Sequence, residues 1–110
     1  MPKLSEVPFH EYVQARDAFF VDGCHCYFGA LADYLGFEVE EDRIKDEDGC
    51  ALTCADVLEE YEEFKEFDLG VLKSLSARAI HLNDDEGKTF SEITEELLAR
   101  VKEEKCSIAD

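Results

Sequence analysis

The firmest hydrophobic pattern in the chain lies between Cys24 and Leu35. Cys24, Tyr27, Phe28, Leu31 and Leu35 fall at i, i+3, i+4, i+7 and i+11, which is one face of an α-helix. Gly29, Ala30 and Ala32 between them permit close packing, and Gly36 supplies a left-handed stop. Upstream, Phe9, Tyr12, Val13, Arg16 and Phe20 also keep a helical spacing. Pro8 is placed to open that helix after Ser5 or Val7, and Asp22-Gly23 to end it. Beyond Gly36 the pattern changes. Phe37 and Val39 alternate with acids, and Asp46-Glu47-Asp48-Gly49 is a turn signal. A short β-hairpin near 39–52 and an irregular loop fit this segment equally well.

Thr53, with Asp56 three residues later, forms an approximate capping box. It opens a third helix, read through Glu66, with Val57, Leu58, Tyr61 and Phe64 on its core face. Asp68 caps a fourth helix carrying Leu69, Leu72, Leu75, Ala79 and Leu82. Asn83 to Gly87 reads as a turn. Thr89 and Glu92 make a second capping box, and a fifth helix carries Ile93, Leu97, Leu98 and Val101. Cys106 to Asp110 reads as a frayed tail. The pattern shows no internal repeat or linker. It predicts a mainly α single domain over residues 1–110, of four to five helices, with the hairpin near 39–52 left open.

Composition supports a packed core, since eight Phe and four Tyr supply large apolar surfaces. Charge changes the picture more. There are 28 acidic and 11 basic residues, a net of −17. Such a balance repels phosphate, so direct nucleic-acid and anionic-membrane partners are disfavoured and a basic protein surface is favoured. The acid is also unevenly placed. Residues 38–68 hold fourteen acids and three bases, a net of −11, while the segments on either side carry −3 each. A uniform solubility or high-salt surface would spread its acid more evenly.

On the predicted third helix, Glu59, Glu62, Glu63 and Glu66 fall on one face, opposite the core residues. Only Lys65 interrupts them, and the i, i+4 pairs Glu59–Glu63 and Glu62–Glu66 repel. These four, with Glu40, Glu41, Asp42, Asp46, Glu47 and Asp48, are the candidate partner-binding residues. The competing reading is a solvated face. A rigid row of carboxylates can fill a groove shaped for phosphates, which is how a nucleic-acid mimic works.

Cysteine and histidine chemistry finds less support. Cys24, Cys26, Cys50 and Cys54 could in principle hold zinc, but C-x-C and C-x3-C are unlike the usual paired spacing. A zinc-stabilised domain is therefore an alternative, and no metal or cofactor is expected. Cys24 or Cys26 with His81 or His10 lacks an oxyanion signature or third orienting group, so no catalytic residue is assigned and the chain reads as a non-enzyme. His81 reads as a helix-end residue. Calcium loops centred on Gly49 or Gly87 fail on register, and no phosphate-binding loop or dinucleotide fingerprint is present. Met1-Pro2-Lys3-Leu4-Ser5 leads into mixed polar sequence, so no signal peptide or membrane span is expected. Five cysteines then read as reduced thiols in a cytoplasmic protein.

Two segments carry a resemblance. Cys26 to Leu31 reads Cys-x-x-Gly-Ala-Leu, and Asn83 to Thr89 reads Asn-Asp-x-x-Gly-basic-Thr. The pair resembles a set of short bacterial and phage proteins with no known activity, and implies that the two elements pack together. In size and charge alone, the chain is similar to acidic phage inhibitors, anti-restriction and anti-CRISPR proteins among them, which occupy the basic surface of a nucleic-acid-binding complex. That resemblance implies an inhibitor of this type. A domain whose acid serves solubility is the remaining alternative.

Overall fold

The computed structural model describes the backbone of residues 1–109 and the side chains of residues 1–105. It contains four α-helices and two small antiparallel sheets. The chain begins with two single 3-10 turns, Leu4–Glu6 and Phe9–Glu11. A two-stranded sheet follows, β1 (Phe20–Val21) and β2 (Cys24–His25), and leads into helix α1 (Tyr27–Tyr34). A three-stranded meander comes next: β3 (Glu38–Val39), β4 (Ile44–Lys45) and β5 (Ala51–Leu52). Helices α2 (Cys54–Glu59), α3 (Leu69–Asp84) and α4 (Phe90–Ala109) complete the chain. Helix α4 thus covers most of the segment read as a tail, and Asp110 lies outside the described residues. Among the described residues no helix is long and apolar enough to cross a membrane.

The helix expected from Phe9 to Phe20 does not form. One 3-10 turn is all that remains of it, because the backbone beyond it is claimed by distant partners. His25 N–H donates to the Val13 carbonyl at 2.8 Å, Ala15 N–H to the His25 carbonyl at 2.8 Å, and Phe19 N–H to the Glu41 carbonyl at 2.8 Å. Tertiary pairing overrides a helix of this length, which is marginal in isolation. Val13 is left 64% exposed and Phe20 37% exposed. Asp22-Gly23, read as a helix stop, is the turn of the β1–β2 hairpin. Both residues have positive φ, 52° and 79°, as a two-residue turn matched to strand twist requires.

Helix α1 starts three residues later than its apolar pattern suggests, at Tyr27 rather than Cys24. Cys24 and His25 are in β2, and Cys26 is the N-cap, its sulfur accepting from Gly29 N–H at 3.4 Å. Gly29 is required there: a Cβ would overlap the Phe19 carbonyl oxygen, which crosses the helix face at this point. Every residue from Tyr27 to Ala32 is buried. The segment 39–52 is ordered as strands, so the hairpin alternative holds, extended to three strands. Val39 faces Ile44 and Ile44 faces Leu52, with Ile44 fully buried.

The third helix is shorter than expected. The Thr53–Asp56 capping box is present in both directions, at 3.1 and 2.9 Å, but α2 ends at Glu59. Tyr61 is extended, and Glu62–Phe64 is a separate 3-10 turn. The break lets Tyr61 bury completely while its hydroxyl donates to the Leu31 carbonyl at 2.7 Å. It also opens room for the N-terminal segment, whose Pro2 carbonyl accepts from Glu62 N–H at 2.9 Å. Asp68 caps α3 through Val71 N–H, and Thr89 with Glu92 boxes the start of α4. Helix α3 runs through Asn83 and Asp84, so the turn read at 83–87 is confined to its last residues. Phe28, Leu31, Leu58, Phe64, Leu72, Ile93 and Leu97 meet in one core.

Candidate functional site

The fold distributes nine of the ten acidic candidates over three places and leaves Glu40 apart. The first is a groove between the β4–β5 turn and α2. Asp46 organises that turn, its Oδ1 accepting from Asp48 N–H at 2.9 Å and Cys50 N–H at 3.0 Å, with Gly49 at φ 81°. The capping box fixes Asp56 at the start of α2, and the end of that helix carries Glu59 and Glu60. Asp46, Glu47, Asp48, Asp56, Glu59 and Glu60 line a depression of about 500 Å³ floored by Phe37 and Leu52. No lysine or arginine lines it among the described residues. Six acidic residues around one concave surface, two of which (Asp46 and Asp56) also accept backbone N–H bonds, raise the local negative potential and draw cations toward it.

The second place holds Glu62, Glu63 and Glu66. They do not continue the face of Glu59, because the chain breaks at Tyr61. The four-residue stripe is therefore not a stripe. The three acids share a depression of about 430 Å³ with Lys3, Lys65 and Lys105, which offset them. Glu63 has turned inward, its two oxygens accepting from Leu4 N–H at 2.8 and 3.0 Å. It is a structural residue that ties down the N-terminal segment.

The third place is a cleft of about 410 Å³ at the start of α1. Glu41 and Asp42, in the β3–β4 turn, line it together with Asp17 and Asp84, over Phe19, Phe28 and Ile80. Glu40 stands apart, paired with Lys45 across the sheet at 2.8 Å. The cleft wall is anchored by Asn83, which is buried in the last turn of α3. Its Oδ1 accepts from Gln14 Nε2 at 2.8 Å and Tyr27 N–H at 3.3 Å. Its Nδ2 donates to the Ala15 carbonyl at 2.9 Å and to Asp84 Oδ1 at 2.7 Å. Asp84 Oδ1 also accepts from Asp17 N–H at 3.0 Å, and Asp17 is held at φ 59°. The Cys26–Leu31 and Asn83–Thr89 elements thus meet at the Asn83–Tyr27 hydrogen bond.

The four described cysteines sit on separate elements. Cys24 lies in β2, Cys26 caps α1, Cys50 is exposed in a turn, and Cys54 opens α2. Among the described residues no three Cys, His, Asp or Glu side chains gather as a metal-binding group. Burial pushes the Cys26 thiol up to about 11 and the Cys54 thiol up to about 12, which keeps both protonated and weakly nucleophilic at neutral pH. His81 sits between two carboxylates, its Nδ1 2.9 Å from Asp85 and its Nε2 3.1 Å from Glu86. His25 is packed by the rings of Tyr12 and Phe20.

No family model, curated protein or solved structure matches the chain.

Sequence reasoning missed Asp56 and Glu60 in the groove and Asp17 and Asp84 in the cleft. Asp56 carried a signal for its capping role alone. Glu60 lies beside Glu59, but a helix extended to Glu66 places it off the acidic face. Asp17 and Asp84 are 67 residues apart and are joined only by the tertiary fold.

Proposed function

We propose that the chain is an acidic protein-binding module whose groove docks on a basic surface of another protein. The observation that carries this reading is the groove itself: six carboxylates from two elements line one concave surface with no lysine or arginine among them. Such like-charge convergence lowers stability, and a cationic partner relieves it. In its narrower form the proposal names the partner as a nucleic-acid-binding complex and the chain as its inhibitor, since the surfaces that hold phosphates are the ones rich in Lys and Arg.

The test compares two charge reversals in pull-downs from host lysate. One changes Asp48, Glu59 and Glu60 to Lys. The other changes Glu95, Glu103 and Glu104 on α4, an equal charge change elsewhere. The wild type is expected to retain a basic, nucleic-acid-binding protein at low salt and to release it at about 0.5 M salt, where exposed charge is screened within a few ångströms. The groove variant should lose that partner and the α4 variant keep it. Equal loss from both would reduce the effect to overall charge and sink the proposal.

A further inference from the structure

The cleft and the groove both have apolar residues at their base, but the lining of the cleft is mostly apolar and that of the groove mostly polar. The half-buried Phe19, and Ile80, 40% exposed on α3, line the cleft floor beside the buried Phe28. Four acidic residues line the cleft around that floor and no lysine or arginine does so among the described residues, although Asp42 is paired with the adjacent Arg43 at 3.5 Å. A ligand that satisfies both halves carries a positive charge on an apolar or planar stem. We propose that the cleft receives an arginine side chain of the partner protein, a subsite that rests on the acidic-module reading above.

Arginine suits such a cleft better than a metal ion or a lysine. A hard metal ion needs a shell of oxygens, and an apolar floor supplies none on that side. A lysine ammonium is a compact, strongly hydrated charge that loses its water reluctantly against aromatic carbon. A guanidinium is planar and weakly hydrated, stacks on aromatic faces, and offers paired N–H donors to carboxylates. The rim is also set in advance. Asp84, which lines the cleft, is fixed through its Oδ1 by Asn83 and by Asp17 N–H before any ligand arrives. Preset geometry lowers the ordering cost of binding. Glu41 and Asp42 lie at one end of β4, and Asp46 to Asp48 follow its other end. Asp42 and Asp46 are four residues apart across β4, a spacing of roughly 13 Å along an extended chain, and one basic partner surface can reach both.

The experiment titrates the ¹⁵N-labelled full chain with N-acetylarginine amide, and separately with its lysine and citrulline counterparts. Arginine amide is expected to shift the amides of Ala18, Phe19, Phe28 and Ile80 in a saturable way. Citrulline, which keeps the shape and loses the charge, should bind roughly tenfold more weakly, and lysine should also bind more weakly. Ile80→Lys and, on the exposed turn, Asp42→Lys should each weaken arginine binding several-fold with an unchanged melting temperature. Citrulline or lysine matching arginine would overturn the inference. So would arginine shifting the groove amides of Glu47, Asp48 and Glu60 as strongly as those of the cleft. The two readings separate cleanly. If groove reversal abolishes partner capture while Asp42→Lys and Ile80→Lys leave it intact, the cleft has no place in the complex and the groove reading stands. If the groove-reversed protein still takes arginine in the cleft, the subsite stands without the groove.

Discussion

Asn83 shows how much one buried amide can organise. It satisfies the Ala15 carbonyl, the first N–H of α1 and the Gln14 side chain at once, and it orients Asp84. Removing it strands at least two buried backbone groups, each costing about 1–3 kcal/mol. Asn83→Ala is therefore expected to lower unfolding free energy by about 2–4 kcal/mol in urea denaturation. A loss under about 0.5 kcal/mol, the range of an ordinary surface change, would contradict that role. The buried thiols make a second prediction. An open-chain thiol titrates near about 8.5, whereas burial holds Cys26 to about 11 and Cys54 to about 12. The folded state keeps these protons when the unfolded chain has lost them. Their contribution is fully present below the open-chain value and is lost as pH rises through the folded values. The melting temperature should fall between pH values of about 8.5 and 11, and less steeply in the Cys26→Ala, Cys54→Ala double variant. The buried Tyr27 and Tyr61 phenols, moved up for the same reason, add to the fall at the upper end. An unchanged slope in the double variant would remove the thiols from the account.

At the scale of elements, the sequence was most legible where a short motif carries its own hydrogen bonds. The caps at Thr53, Asp68 and Thr89 and the stop at Gly36 all form where their residue types require. It was least legible where a distant segment competes for the backbone. Phe9 to Phe20 has a helical spacing, yet His25 and Glu41 take its amides and carbonyls. The stretch after Glu59 has one too, yet Tyr61 must reach Leu31 and Glu63 must reach Leu4. Glu63 turns this difference into a prediction of opposite sign. On a continuous helix, Glu63→Ala relieves repulsion from Glu59 and raises stability by a few tenths of a kcal/mol. In the structure it leaves Leu4 N–H without its acceptors and should cost about 1–2 kcal/mol. Calorimetric melts of wild type and variant distinguish the two, and a gain in stability would mean that the N-terminal segment is not held by this contact.

Across the whole molecule, the concentration of acid in residues 38–68 was readable directly, but its arrangement was not. The candidate residues divide among a groove without bases, a depression shared with three lysines, and a cleft with an apolar floor. No linear pattern distinguishes these surroundings, because the lysines and phenylalanines that define them come from other parts of the chain. The same long reach bears on the order of assembly. Leu4 meets Glu63 across 59 residues, Tyr27 meets Thr94 across 67, and Gln14 meets Asn83 across 69. Helices α3 and α4, by contrast, are joined by a short turn and can pair as soon as both exist. Loop closure over long separations must be completed before such contacts give any return. The contacts of Gln14 and Tyr27 with α3 and α4 therefore wait until Asn83 and Thr94 are in place. In pulsed hydrogen exchange during refolding, the amides of α3 and α4 should gain protection before those of Ala15, Phe19 and His25. Early protection of the N-terminal segment would reverse that order. The N-terminal segment, made before the two long helices, is then the part that is locked in place after them.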